Sequence, residues 1–251
     1  MAFREPSDNG EYVRRFSTYR IVEHLVLIVL FVVLAVTGLS QKFHSFGAAQ
    51  SIILALGGID NARLVHHVAG MLFTVLTVQH ILVNFVGIVF RQWEPSMLIT
   101  FKDAHDALHN VRYYLGIVDQ PAMCGRYNYK GKFIYWLVLI GGIQMIITGL
   151  LLWFHVTATK YLPGQFIPAS KVVHTNEAML IFLLIAIWHI YDSIFSPDAF
   201  PLYKSIFTGY IKKRRMKQEH PLELVQLMEA DEEELHETPM GSHTVGRPPS
   251  V

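Results

Sequence analysis

An all-α integral membrane four-helix bundle is the fold class this sequence predicts, with both termini cytoplasmic, a loop helix between the second and third spans, and a polar C-terminal tail. Three observations predict it. The 251 residues are 52% hydrophobic and only 16% charged, the composition of a chain solvated largely by lipid. Four apolar runs, at about 21–40, 64–90, 133–154 and 172–195, each approach the roughly 20 residues a helix needs to cross the hydrocarbon core. Lys and Arg, finally, are shared unequally among the segments that join those runs.

The polar N-terminal arm carries Arg4, Arg14, Arg15 and Arg20, so no cleavable signal peptide is expected ahead of the first span. The first connection contains Ser51–Leu56, apolar but too short to span, which reads as an interfacial or re-entrant piece. The second run is longer than a span requires and is expected to protrude or tilt. Between the second and third runs lie Arg91, Lys102, Arg112, Arg126, Lys130 and Lys132. Lys204 and the cluster Lys212, Lys213, Arg214, Arg215, Lys217 follow the fourth. Only Lys42, Arg63, Lys160 and Lys171 occupy the opposite side, so the net charge of +1 hides a strong asymmetry that places both termini in the cytoplasm. Residues 1–218 form the membrane domain. Residues 219–251, with the acidic EADEEELHE and no apolar period, form a tail expected to be extended or partner-bound.

A single cysteine, Cys124, excludes internal disulfides, and CxxCH, the attachment motif of covalent c-type haem, is absent. The chain has 13 histidines, and those at membrane depth need a partner, because a polar side chain in lipid costs free energy. The second and fourth spans run in the same direction. His66 and His174 open them and share the outer half; His80 and His189 lie near their ends in the inner half. His24 opens the oppositely directed first span, which puts it in the inner half too. At about 100° and 1.5 Å per residue, His174 and His189 project about 60° apart on a rise of about 22 Å, and His66 and His80 about 40° apart. Each of these helices therefore offers one face with an imidazole toward either surface.

Bis-imidazole ligation of a flat metallo-macrocycle suits that pattern. A porphyrin is large and apolar and belongs between helices, and histidine is a usual axial ligand of its iron. Two axial histidines leave no open position, which favours electron transfer over oxygen chemistry. The expected cofactors are two haem b, held without covalent attachment. The plainer reading of a lone membrane histidine is a hydrogen bond between helices, but four or five at matched depths weaken it. His67 points about 100° away from His66. His44, His155, His220, His236 and His243 are expected to be solvated, and His105 and His109 of HDALH to lie on an exposed helix face. The repeated TGL, at Thr37–Gly38 and Thr148–Gly149, hints at two related helical hairpins, and Gly70, one turn after His66, leaves room for a ring.

RFSTYRIVEHLVLIVLFVVLAVTGL, ARLVHHVAG, GRYNYKGKFIYW with TGLLLWF, and VVH with WHIY together resemble the membrane subunit of respiratory formate dehydrogenases. The b-type cytochromes of nickel–iron hydrogenases are its relatives. The likeness runs from about Arg14 to Arg215. It implies a di-haem cytochrome b of an inner-membrane complex, passing electrons between an extracytoplasmic iron–sulfur or multihaem subunit and a quinone, menaquinone or ubiquinone. It further implies that His66 and His174 hold the outer haem, that His24 and His189 hold the inner one, and that quinone chemistry sits near Asn128 and Lys130. Three departures stand beside it. The His174–His189 gap is one residue longer than the family pattern, Lys130 and Gly131 replace a polar residue after the Tyr–Asn pair, and His80 is an additional inner candidate. His80 with His189 would resemble cytochrome b of quinol-oxidising complexes and would release His24; a third haem is a further alternative.

No nucleotide fingerprint and no iron–sulfur cysteines are present, so any catalysis is confined to quinone oxidation or reduction. Lys130, Lys132, His105 and His109 are proton-handling candidates against a reading as solvated loop charges. Lipid, quinone and partner subunits are the expected associates, with no nucleic acid. The rival functions are a haem-free structural anchor and a non-haem metal enzyme of histidine-box type. A transporter would call for an intramembrane carboxylate such as Glu177.

Overall fold

The computed structural model describes residues 12–237 except 91, 92, 94, 197 and 198. Arg4, Arg91, His243 and the tail beyond residue 237 lie outside the described residues. In chain order the elements are β1 (Tyr12–Arg14), α1 (Thr18–Lys42), α2 (Gly47–Ala55), α3 (Ile59–Val89), α4 (Phe101–Tyr114), α5 (Tyr129–Trp153) and α6 (His155–Ala158). There follow α7 (Phe166–Leu183), running on through π-helical turns at Leu184–His189 and Tyr191–Phe195, then α8 (Ser205–Thr208), β2 (Tyr210–Lys212), α9 (Lys213–Glu219) and α10 (Pro221–Glu237). Two compact units divide the chain: Val22–Pro95 with Phe133–Tyr203, and Met1–Ile21 with Ser96–Lys132 and Lys204–Val251.

The first unit holds the apolar stretches. Four helices, Thr18–Lys42, Ile59–Val89, Tyr129–Trp153 and Phe166–Phe195, are long and apolar enough to cross a membrane. β-Branched residues crowd α1, yet it is helical, because in hydrocarbon the backbone must satisfy its own hydrogen bonds within the segment. Most large apolar side chains face outward, Val29, Val75 and Ile187 among them. The residues buried between helices are mainly small: Thr37, Ser40, Ala62, Ala69, Thr77, Thr148 and Ser170. That is an inside-out distribution, with lipid as the outer solvent and small side chains where backbones approach.

Cross-helix contacts fix the order. His24 near the start of α1 meets His189 near the end of the fourth span, and His66 at the start of α3 meets His174 in α7. Lys42 at the end of α1 reaches the Thr175 carbonyl and Asn176 in α7, at 3.4 Å each. Neighbouring spans thus alternate in direction, and α1 begins at the end of the bundle where the fourth span finishes. Between α2 and α3 the chain reverses at Gly57 and Gly58, whose φ values of 87° and 107° suit glycine.

In the second unit β1 pairs antiparallel with β2, Tyr12 opposite Lys212 and Arg14 opposite Tyr210. Thr100 and Asp103 form a capping box that starts α4. Asp103 also takes Lys132 Nζ at 2.9 Å, and the same ammonium donates to the Leu98 carbonyl at 2.9 Å. Lys132 is therefore not a solvated loop charge but a buried one with two partners. Burial alone would raise the Asp103 carboxyl. The hydrogen bonds from Lys132 and Thr100 outweigh it and hold the group below its usual range.

Two expectations for the tail change. Where an extended or partner-bound segment was expected from residue 219, the described part of the tail forms a helix, α10, over Pro221–Glu237. Pro221 suits a first helical position, and Leu224 is buried. His220, expected in water, is 5% exposed. Its Nδ1–H donates to the Gly125 carbonyl at 2.8 Å. Glu223 supplies the reason for both differences, because it pairs with Arg126 at 3.5 Å and Arg15 at 3.9 Å and draws the tail onto residues distant in sequence.

Candidate functional site

Two imidazole pairs lie inside the apolar unit. His66 and His174 have ring centroids 6.4 Å apart at an interplanar angle of 77°, and His24 and His189 have centroids 6.5 Å apart at 68°. A first-row metal sits about 2 Å from an imidazole nitrogen, so two rings on opposite sides of one metal have centroids about 6.3 Å apart. Both pairs match that span and are too far apart for a mutual hydrogen bond. Among the described residues, no three His, Cys, Asp or Glu side chains converge to hold an ion by themselves. Two imidazoles need a group that brings the remaining ligands with it, as a porphyrin does.

The outer pair of the sequence analysis has a threonine hydroxyl against Nδ1 on both sides. His66 Nδ1 is 2.8 Å from Thr37 Oγ1, and His174 Nδ1 is 2.9 Å from Thr148 Oγ1. Each threonine hydroxyl also donates to the carbonyl one turn earlier, Val33 at 2.7 Å and Gln144 at 2.8 Å. Its proton being so used, the hydroxyl accepts from Nδ1–H, which fixes the neutral tautomer and leaves Nε2 with its lone pair for a metal. The adjacent glycines complete the device. A Cβ on Gly38 would lie 3.2 Å from His66 Cε1, and one on Gly149 would lie 3.2 Å from His174 Cε1. Gly70 faces open space. The repeated TGL is thus one structural motif used twice, once in each helical hairpin.

The second pair is built differently. His24 Nδ1 is buried without a hydrogen-bond partner among the described residues. His189 closes a π-helical turn, Leu184–His189. Such a turn takes up one extra residue within a helix. It provides a physical setting for the additional residue between His174 and His189, since each residue in an i→i+5 turn rotates less than in an α-helix. Trp188, next to His189, stacks on Phe133 with centroids 5.3 Å apart.

His80 is engaged elsewhere. Its Nδ1 lies 2.9 Å from Glu23 Oε1 and its Nε2 lies 3.1 Å from the Tyr135 hydroxyl. Glu23 and Tyr135 carried no signal in sequence, because neither repeats at a spacing that points to His80. His67 stacks on Trp153 at 4.4 Å. His44 and His155 are exposed. His105 is exposed, and His109 Nε2–H donates to the Gln120 carbonyl at 2.9 Å. Asn128 Oδ1 accepts the Gly131 amide at 2.8 Å and so caps the start of α5. Lys130 lies over the Tyr114 ring, 5.9 Å from its centroid. Glu177 has a buried oxygen without a hydrogen-bond partner, beside Gly141.

Apolar helices crossed by paired imidazoles define a class, the membrane cytochromes of b type, in which protein histidines grip a non-covalent haem between transmembrane helices. Residues 15–209 match the prokaryotic cytochrome b561 family, and the chain belongs to it. It is 23% identical over 210 residues to the formate dehydrogenase cytochrome b556(fdo) subunit of Escherichia coli K12, covering 82% of this chain and 89% of the relative. The cytochrome b556 subunit of Haemophilus influenzae formate dehydrogenase is 21% identical over 224 residues, covering 85% and 82%. The nitrate-inducible formate dehydrogenase subunit b556(Fdn) of Escherichia coli K12 is 23% identical over 198 residues, covering 79% and 83%. The chain is an integral membrane b-type cytochrome that binds haem b and serves as an electron-transfer subunit.

Proposed function

We propose that this chain is the di-haem membrane subunit of a respiratory complex in a bacterial inner membrane, linking an extracytoplasmic redox subunit to the quinone pool. The observation that carries the reading is the pair of imidazole gaps, 6.4 Å and 6.5 Å, at opposite ends of one bundle. His66 with His174 holds one haem, and His24 with His189 holds the other. Haem b bound at each pair supplies a one-electron carrier, and two such sites provide a route across the bilayer. His24 is preferred over His80 because both His80 nitrogens already have partners.

The chain's own residues hold the imidazoles, and Thr37 and Thr148 fix the tautomers of His66 and His174. Positive charge at the His24/His189 end supports a cytoplasmic orientation for both termini. Quinone chemistry is assigned near Asn128 and Lys130, where the resemblance to formate dehydrogenase membrane subunits implies it. The relatives are subunits of formate dehydrogenases, which supports a hetero-oligomeric complex with other subunits; the partner is taken to be an iron–sulfur or multihaem subunit.

Haem extraction from the purified chain tests the count. Two haem b per polypeptide is the expected result, falling to one in His66→Ala and in His174→Ala. A colourless chain, or one haem in the unmutated protein, overturns the reading.

A further inference from the structure

We infer that Thr37 and Thr148 are positioning residues that set the reduction potential of the haem held by His66 and His174 below that of the haem held by His24 and His189. The inference rests on the di-haem reading and adds an energetic order to it. Four observations bear on it together. Both threonines are buried, at 2% and 7% exposure, inside helices whose other faces meet lipid. Each hydroxyl is polarised by donating to a backbone carbonyl, Val33 or Gln144, and each accepts from a ligand imidazole. Gly38 and Gly149 let each imidazole sit close against the helix that carries its threonine. The other pair lacks the device on one side at least, since His24 Nδ1 is buried and unbonded among the described residues.

The chemistry follows from what Nδ1 does to Nε2. An imidazole that donates Nδ1–H to an acceptor gains basicity at Nε2 and becomes the stronger donor to iron. A stronger axial donor favours the oxidised metal and lowers its potential. Two buttressed imidazoles at one iron push in the same direction, whereas a buried Nδ1–H without an acceptor gives no such push. A low potential at the His66/His174 end and a higher one at the His24/His189 end drives electrons from the first toward the second, the direction of quinone reduction in the proposed orientation.

Redox titration of the purified haem-loaded chain, followed at its haem absorption band, tests this. His66→Ala and His24→Ala assign the two midpoint potentials. The expected order places the His66-dependent haem lower. Thr37→Val and Thr148→Val keep two haems and raise that lower potential, each by up to about tenfold in the reduction equilibrium, or about 59 mV for one electron. Thr37→Ser and Thr148→Ser, which keep the hydroxyl, restore it. Unchanged potentials in valine variants that retain both haems overturn the inference, as does a reversed order or a shift confined to the His24-dependent haem. Should the valine variants shed a haem, the serine variants decide: retention at the original potential supports the role, and loss there too overturns it. A chain with fewer than two haems before any substitution defeats the di-haem reading instead.

Discussion

His80 holds Glu23 at 2.9 Å through one ring nitrogen and the Tyr135 hydroxyl at 3.1 Å through the other. A ring so engaged has no lone pair free for iron unless one of those bonds breaks. His24, at the neighbouring position on α1, instead faces His189 with its Nδ1 unbonded. The expected outcome is that His24→Ala loses one haem of two while His80→Ala retains both. His80→Ala removes one hydrogen-bond partner from the Glu23 carboxylate, whose side chain is 10% exposed, so a stability loss of about 1 kcal/mol accompanies it. Haem per polypeptide, measured on both variants, checks the assignment; the opposite pattern returns the inner haem to His80.

The π-turn at Leu184–His189 is a register device with its own test. Deleting Ile187, which is 68% exposed within that turn, converts it to ordinary α-helix and leaves the segments on either side in register. Both haems are expected to remain. Deleting Val32, also exposed but in a continuous stretch of α1, turns His24 about 100° relative to Thr37. At least one haem is then lost. Absorption spectra of the two deletions in isolated membranes distinguish the cases, and equal losses in both deny the π-turn its accommodating role.

The four spans were legible in sequence because lipid enforces them: an apolar run of sufficient length has no stable option but a helix. The pairing of His66 with His174 was legible for a related reason, since antiparallel spans convert position along the chain into depth. Sequence alone left His24 and His80 as rivals. The contacts that favour His24 in the proposed reading come from Glu23 and Tyr135, which reach His80 from two other helices and follow no repeat. Burial of His220 was illegible too, because its environment is assembled from Arg15, Gly125 and Arg126, residues far from it in sequence. The TGL repeat was visible, whereas its bond to imidazole Nδ1 depends on a helix rotation that composition does not specify.

Lys132 and Asp103 form a buried pair at 2.9 Å, with side chains 10% and 11% exposed. Removing one partner leaves a charge with little water to replace it, which costs about 3–5 kcal/mol at such sites. Lys132→Met is expected to loosen α4, because Asp103 also anchors the capping box through Thr100. Proteolysis of the Ser96–Lys132 segment should accelerate while haem content, set elsewhere, stays constant. If cleavage is unchanged, the pair contributes little to holding this segment.

His220 makes the second unit sensitive to acid. Burial lowers its pKa to about 4, helped by the positive charges of Arg15, Arg215 and Arg126, whereas the bond to the Gly125 carbonyl opposes the shift. The unfolded imidazole titrates near 6.5. Between those values the unfolded state binds the proton and the folded state does not, so stability is full above about pH 6.5 and falls as pH drops toward 4. The cumulative loss is about 3 kcal/mol. His220→Gln removes the titration and can keep a donor to Gly125. Hydrogen exchange of α10 amides, corrected for intrinsic rate, should show extra opening at pH 5 relative to pH 7 in the unmutated chain and much less in His220→Gln. An equal acid response in the two proteins would assign the sensitivity to another group.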